Sequence, residues 1–137
     1  TKISEQMSEF LSQGSPVVFF PEATTTDGTA IKRIYGNLLQ SAMDSQVLIQ
    51  PIVICYVNQQ GELDMIAPFI GEMSFAEHVQ RVLEMPQVTA HLLTLPAIPV
   101  TGHTVDTLTK EVDQKMREGL AELHRKVLKV MPDSDVT

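Results

Sequence analysis

The apolar positions of this chain fall into short unbroken runs and helical stripes. Ile3, Met7, Phe10 and Leu11 recur at helical spacing and Gly14 follows as a stop signal, so the chain should open on an amphipathic helix. Pro16-Val17-Val18-Phe19-Phe20-Pro21 is a run of β-formers between prolines, and its lack of alternation predicts a central, parallel strand covered on both faces. The polar stretch Glu22 to Thr29 predicts a loop off the carboxyl end of that strand, with Asp27-Gly28 as a turn. Ile31, Ile34, Tyr35, Leu38, Leu39 and Ala42 keep a helical rhythm that Gly36 weakens. Val47 to Val57 is too β-branched for a good helix, and Pro51 in its middle predicts two strand pieces or an early bend.

Asn58 to Gly61 reads as a turn into a weaker strand from Leu63 to Ile66. Ser74 to Leu83 reads as a short helix capped by Ser74, with Glu77 completing a capping box and Pro86 blocking continuation. Val88 to Leu95 is a further strand, ended by Pro96 and Pro99. Val105, Leu108, Val112, Met116, Leu120, Leu123 and Val127 form the stripe of a long final helix. Asp106–Lys110, Glu111–Lys115, Asp113–Arg117 and Glu122–Lys126 are its i,i+4 pairs. The sum is an α/β fold with a mixed, largely parallel sheet flanked by helices. It forms a single domain over residues 1–131, with a frayed tail at 132–137. Helices are few for the number of strands, so the sheet reads as the remainder of a larger one.

Composition narrows the function. The chain has 137 residues, 43% hydrophobic and 20% charged, which fits one globular core. A net charge of -7 argues against a nucleic-acid binder that neutralises phosphates along its surface. Six of the ten basic residues lie between Lys110 and Lys129, but acids interleave them and a solvated helix face is the simpler reading. The single cysteine, Cys55, excludes an internal disulfide and a cysteine-based zinc cluster; its apolar neighbours predict a small buried hydrophobe. No stretch approaches the roughly 18 consecutive apolar residues of a membrane span.

Glu22 is the sharpest candidate for chemistry. It follows the run Val17–Phe20 directly, so its carboxylate should emerge at the edge of the sheet. There it could bind a sugar or glycerol hydroxyl, hold a metal, orient another group, or simply cap backbone N–H groups. Asp27 has the simpler account of an Asx turn. His78, His91, His103 and His124 lie on unrelated elements, with no metal-binding or triad spacing. His78 and His124 should be half exposed on helices. Walker A and the three-glycine dinucleotide fingerprint are both absent, although the threonine loop followed by Lys32-Arg33 could hold an anion. As neighbours on a helix, Lys32 and Arg33 should not both face it.

Val18-Phe19-Phe20-Pro21-Glu22-Ala23-Thr24-Thr25-Thr26-Asp27-Gly28 resembles the third conserved block of the glycerophospholipid acyltransferases, an apolar strand followed by Phe-Pro-Glu-Gly-Thr. Val47 to Ile54, around Pro51, resembles the fourth block. Phe69-Ile70-Gly71-Glu72-Met73-Ser74-Phe75 is similar to a segment of the lyso-ornithine-lipid acyltransferase branch, and Val88 to Pro96 to its next strand. The departures are Ala23 where the family has glycine, Thr25 where many members have arginine, and Phe69 where the branch has tryptophan.

The resemblance implies transfer of an acyl group from acyl-CoA or acyl-carrier protein to the hydroxyl of a lysolipid, with no bound cofactor and no metal. It implies that Glu22 contacts the polar head of the acceptor, that Thr24, Thr25 and Thr26 shape the same pocket, and that Pro21, Ala23, Asp27, Gly28 and Pro51 hold the frame. The family's general base is a histidine in a His-(four residues)-Asp block, and no such pair occurs here. The chain is therefore expected to be the carboxyl-terminal part of such an enzyme, inactive alone, with no catalytic residue of its own. The surface a fuller sheet would cover predicts a homo-oligomer. The parent is expected at the cytoplasmic face of a bacterial inner membrane, attached through elements outside this chain. The competing classes are a non-enzymatic α/β interaction module or decayed relative, and a phosphate-ester hydrolase using Glu22 and Asp27 with a metal.

Overall fold

The structure, a computed structural model, describes residues 2–22, 28–64, 74–84 and 87–129. The opening stripe forms helix α1, Lys2–Ser12. It ends where Gly14 takes a φ of 80°, with the Ser15 N–H bonded to the Phe10 carbonyl and the Gly14 N–H to Leu11. This is a Schellman stop, in which glycine supplies the left-handed residue without a Cβ clash. A 3-10 turn, Gly36–Leu38, leads into the short helix α2, Leu39–Asp44. Helix α1 packs on α2 through Ser41, whose hydroxyl donates to the Ser4 carbonyl at 2.9 Å.

Strands β1, Ile52–Val57, and β2, Thr89–Thr94, pair antiparallel, from Ile52 opposite Thr94 to Val57 opposite Thr89. Pro51 is buried just ahead of β1. Its carbonyl accepts from the Leu95 N–H at 2.9 Å, and Ile49 bridges Ile98 beyond it. The proline thus splits the apolar run without breaking its direction. Between the strands lies α3, Phe75–Glu84, capped by Ser74, whose hydroxyl accepts from the Glu77 N–H. None of its residues is buried, and Phe75 and Leu83 are exposed. Leu63 bridges Val57 and the Asp64 N–H donates to the Tyr56 carbonyl at 2.8 Å, whereas Met65 and Ile66 of the weaker strand expected there lie outside the described residues.

The long helix α4, Val105–Val127, supports the whole arrangement. Thr104 caps it in a capping box with Thr107. Its predicted stripe is buried at Leu108, Val112, Met116, Leu120 and Leu123, against Val53, Cys55 and Val57 of β1 and against Leu39, Leu95 and Ile98. Burial pushes the Cys55 thiol up from its ordinary pKa.

Three expectations are overturned. The sheet is a small antiparallel pair flanked by helices, not a mixed, largely parallel sheet. The run Val17–Phe20 is not a covered central strand: it pairs with no described strand, Phe19 packs on the core, and Val18 and Phe20 are 83% and 79% exposed. Uniform β-formers conceal an alternation that exists only in the geometry. The helix expected from Ile31 is also shorter. Residues 31–35 are non-helical, and Arg117 of α4 takes the Ile31 and Lys32 carbonyls that a helix would have used internally.

Candidate functional site

The Pro21 carbonyl accepts from the Tyr35 N–H at 2.8 Å, and the Glu22 carboxylate accepts through Oε2 from the Lys32 N–H at 2.9 Å. These bonds bring the two ends of the threonine loop together. Ala23, Thr24, Thr25, Thr26 and Asp27 lie outside the described residues. Gly28 resumes with a φ of 81°, a conformation that glycine adopts without a Cβ penalty.

Helix α4 holds the returning arm. Arg117 donates from Nη1 to the Ile31 carbonyl and from Nη2 to the Lys32 carbonyl at 3.1 Å, while its Nε is paired with Asp113 at 2.9 Å. Two turns further on, the His124 Nε2–H donates to the Gly28 carbonyl at 3.0 Å. His124 is only 3% exposed, not half exposed as expected. Burial lowers its pKa, and the bond to Gly28 opposes that shift. Its position was readable: four residues after Leu120 and three before Val127, it falls on the buried stripe. Neither His124 nor Arg117 was singled out from sequence as a loop anchor. Long-range bonds to main-chain carbonyls leave no local pattern.

The other histidines do not reach Glu22. His103 Nε2 lies 2.7 Å from Glu111 Oε2, and its Nδ1 lies 3.0 Å from Thr107 Oγ1. His91 sits in β2 opposite Cys55, and His78 in α3. Pro51 is bonded within the sheet rather than to the Glu22 loop. Among the described residues no three His, Cys, Asp or Glu side chains converge as a metal site, and no helix is long and apolar enough to cross a membrane.

A hollow of about 360 Å³ lies between the returning arm and α4. Lys32 and Arg33 line one wall, and Thr109, Lys110, Asp113 and Arg117 the other. Both adjacent cations border it, because the arm is non-helical. Arg33 lies 5.0 Å from the centroid of the Tyr35 ring.

The Acyltransferase family matches residues 1–55, which include Glu22 and the arm that closes its loop. Over 118 residues the chain is 33% identical to the lyso-ornithine lipid O-acyltransferase of Pseudomonas aeruginosa, covering 86% of this chain and 45% of that protein. It is 24% identical over 125 residues to the protein of the same name from Rhodobacter capsulatus, covering 87% and 45%. A 1-acyl-sn-glycerol-3-phosphate acyltransferase of Neisseria gonorrhoeae is 26% identical over 87 residues, 64% of this chain and 34% of that one. No solved structure matches. Homology supports membership of the acyltransferase family related to the lysolipid acyltransferases. The chain spans a little under half the length of the lyso-ornithine lipid relatives it matches.

Proposed function

We propose that this chain is the carboxyl-terminal part of an acyltransferase that moves a fatty acyl group from acyl-CoA or acyl-carrier protein to the hydroxyl of a lysolipid, within the lyso-ornithine-lipid-like branch. The observation that carries the proposal is the similarity to the Pseudomonas aeruginosa protein, which runs through 86% of this chain. Glu22, at the neck of a loop closed by its own carboxylate and braced by Arg117 and His124, contacts the polar head of the acceptor. The family resemblance assigns Thr24, Thr25 and Thr26, outside the described residues, to the same acceptor contact.

In the reaction a base takes the proton of the acceptor hydroxyl while its oxygen adds to the thioester carbonyl. That addition forms the new C–O bond; collapse of the tetrahedral intermediate restores the carbonyl, breaks the C–S bond and releases the thiolate, which takes up the proton. That base must come within about 2.6–3.2 Å of the hydroxyl. Among the described residues, both ring nitrogens of His103 are engaged and the His124 Nε2–H is held by Gly28. The family resemblance implies that the base is the histidine of a His-(four)-Asp block, and no such pair occurs among these 137 residues. The lysolipid resides in a bilayer, so the complete protein works at the cytoplasmic face of a bacterial inner membrane, attached through elements outside this chain.

The test is to read the coding sequence on the amino-terminal side of Thr1 in frame. A His-(four)-Asp block there, whose His→Ala variant abolishes acyl transfer, is the expected result. Its absence would favour a non-enzymatic interaction module.

A further inference from the structure

We propose that the hollow between residues 32–34 and α4 is a binding site for a phosphate group. This inference rests on the acyltransferase reading only for the identity of the ligand; the site itself is argued from its charges. Its walls carry Lys32, Arg33, Lys110 and Arg117 against one carboxylate, Asp113, in a protein whose net charge is -7. A local excess of three positive charges in so acidic a chain is an attractive point for an anion.

Arg117 is spent on Asp113 and the arm, but the other three cations are not consumed by carboxylates among the described residues. The Asp106–Lys110 pair expected from spacing is not formed, and Lys32 and Lys110 have no carboxylate partner among the described residues. Asp113 is already matched by Arg117, so it does little to cancel the other three. The walls are also set before any ligand arrives. Arg117 ties the Ile31 and Lys32 carbonyls to α4, which fixes the arm carrying Lys32 and Arg33 opposite the helix turn carrying Lys110. Tyr35 beneath the Arg33 guanidinium restrains that side chain by a cation–π contact. Pre-ordering of this kind lowers the entropic cost of binding.

The Lys32 N–H that closes the Glu22 loop belongs to a wall residue of the hollow, so a phosphate here would lie next to the acceptor loop. Its chemistry is that of a phosphate ester, and two sources could supply one. The nucleotide end of a coenzyme A thioester carries three phosphates, and a phospholipid headgroup carries one.

The experiment is an amide NMR titration of the protein with 3′,5′-ADP and, separately, with glycerol 3-phosphate, at low and physiological salt. Saturable shifts confined to residues 31–35 and 109–117 are expected, weakening with salt as a charged contact requires. Lys110→Glu and Lys32→Gln should each weaken binding at least tenfold. Lys126→Glu, on the same helix but paired with Glu122 away from the hollow, should leave it unchanged. Tighter binding of the nucleotide assigns the site to the donor, and tighter binding of glycerol 3-phosphate assigns it to a lipid head. No saturation at millimolar ligand, or equal weakening by Lys126→Glu, overturns the site. Binding without acyl transfer by the complete protein would reject the acyltransferase reading and leave the phosphate site standing.

Discussion

Glu22 offers two carboxylate oxygens, and Oε2 is already committed to the Lys32 N–H. The residue therefore does what a cap does and can still face a ligand. Glu22→Ala should open the loop neck and cost about 1 kcal/mol, the usual net worth of a single hydrogen bond, because solvent already screens this exposed one. Glu22→Gln keeps an acceptor oxygen and should cost less, so urea titrations of the two variants separate charge from geometry. His124 makes a second residue-scale prediction. Its folded pKa lies below the ordinary 6.5, so the unfolded chain binds the extra proton first. The stability it contributes is complete above pH 6.5 and is lost as pH falls through the lowered value. His124→Gln keeps a donor for the Gly28 carbonyl without titrating. Comparing urea midpoints between pH 7.5 and pH 5.5, the native protein should lose more stability than the variant; equal losses would show that His124 is not the titrating group. The stripe residues of α4 were legible because burial follows a period. What each polar side chain on that helix grips was not, because Arg117 and His124 bond across more than 80 residues of sequence.

At the scale of elements, α4 was the easiest to read and carries the greatest mechanical role. Thr104→Ala removes the acceptor for the Thr107 N–H and should cost about 1 kcal/mol by thermal or urea unfolding. Gly119 gave no signal in sequence, yet an added Cβ would come 2.7 Å from Leu95 Cδ1, the strand end packed against the helix. Gly119→Ala gains about 1 kcal/mol in helix propensity but forces a buried leucine aside at about 1–3 kcal/mol, so net destabilisation is expected. A higher melting temperature for that variant would mean that Leu95 repacks freely. The misread helix at Ile31 has a physical origin. Apolar spacing of three to four residues marks which side chains are buried, not where the carbonyls go. Here Ile31 and Ile34 are buried from a non-helical arm, and helical bonding begins only at Gly36.

For the whole molecule, the antiparallel pairing of β1 with β2 was the feature least legible in sequence. Alternation and composition identify strands but not their neighbours. Ile52, Ile54 and Leu92 are exposed on the strands, and Val18 and Phe20 along the unpaired run. Exposed apolar strands recruit further chain. We therefore expect the 137-residue protein to self-associate, and light scattering at micromolar concentration should report a dimer that Val18→Lys with Phe20→Lys disperses. A monomer at every concentration would count against this.

The most direct test of the central claim is acyl transfer by the longer protein that contains this chain, with a thioester donor and a lyso-ornithine lipid. The account predicts an acylated lipid product, a kcat/KM at least tenfold lower in Glu22→Gln, and no turnover by the 137-residue chain alone. A folded, longer protein that acylates no lysolipid would contradict it. So would turnover by this chain alone that disappears on substituting His91 or His103.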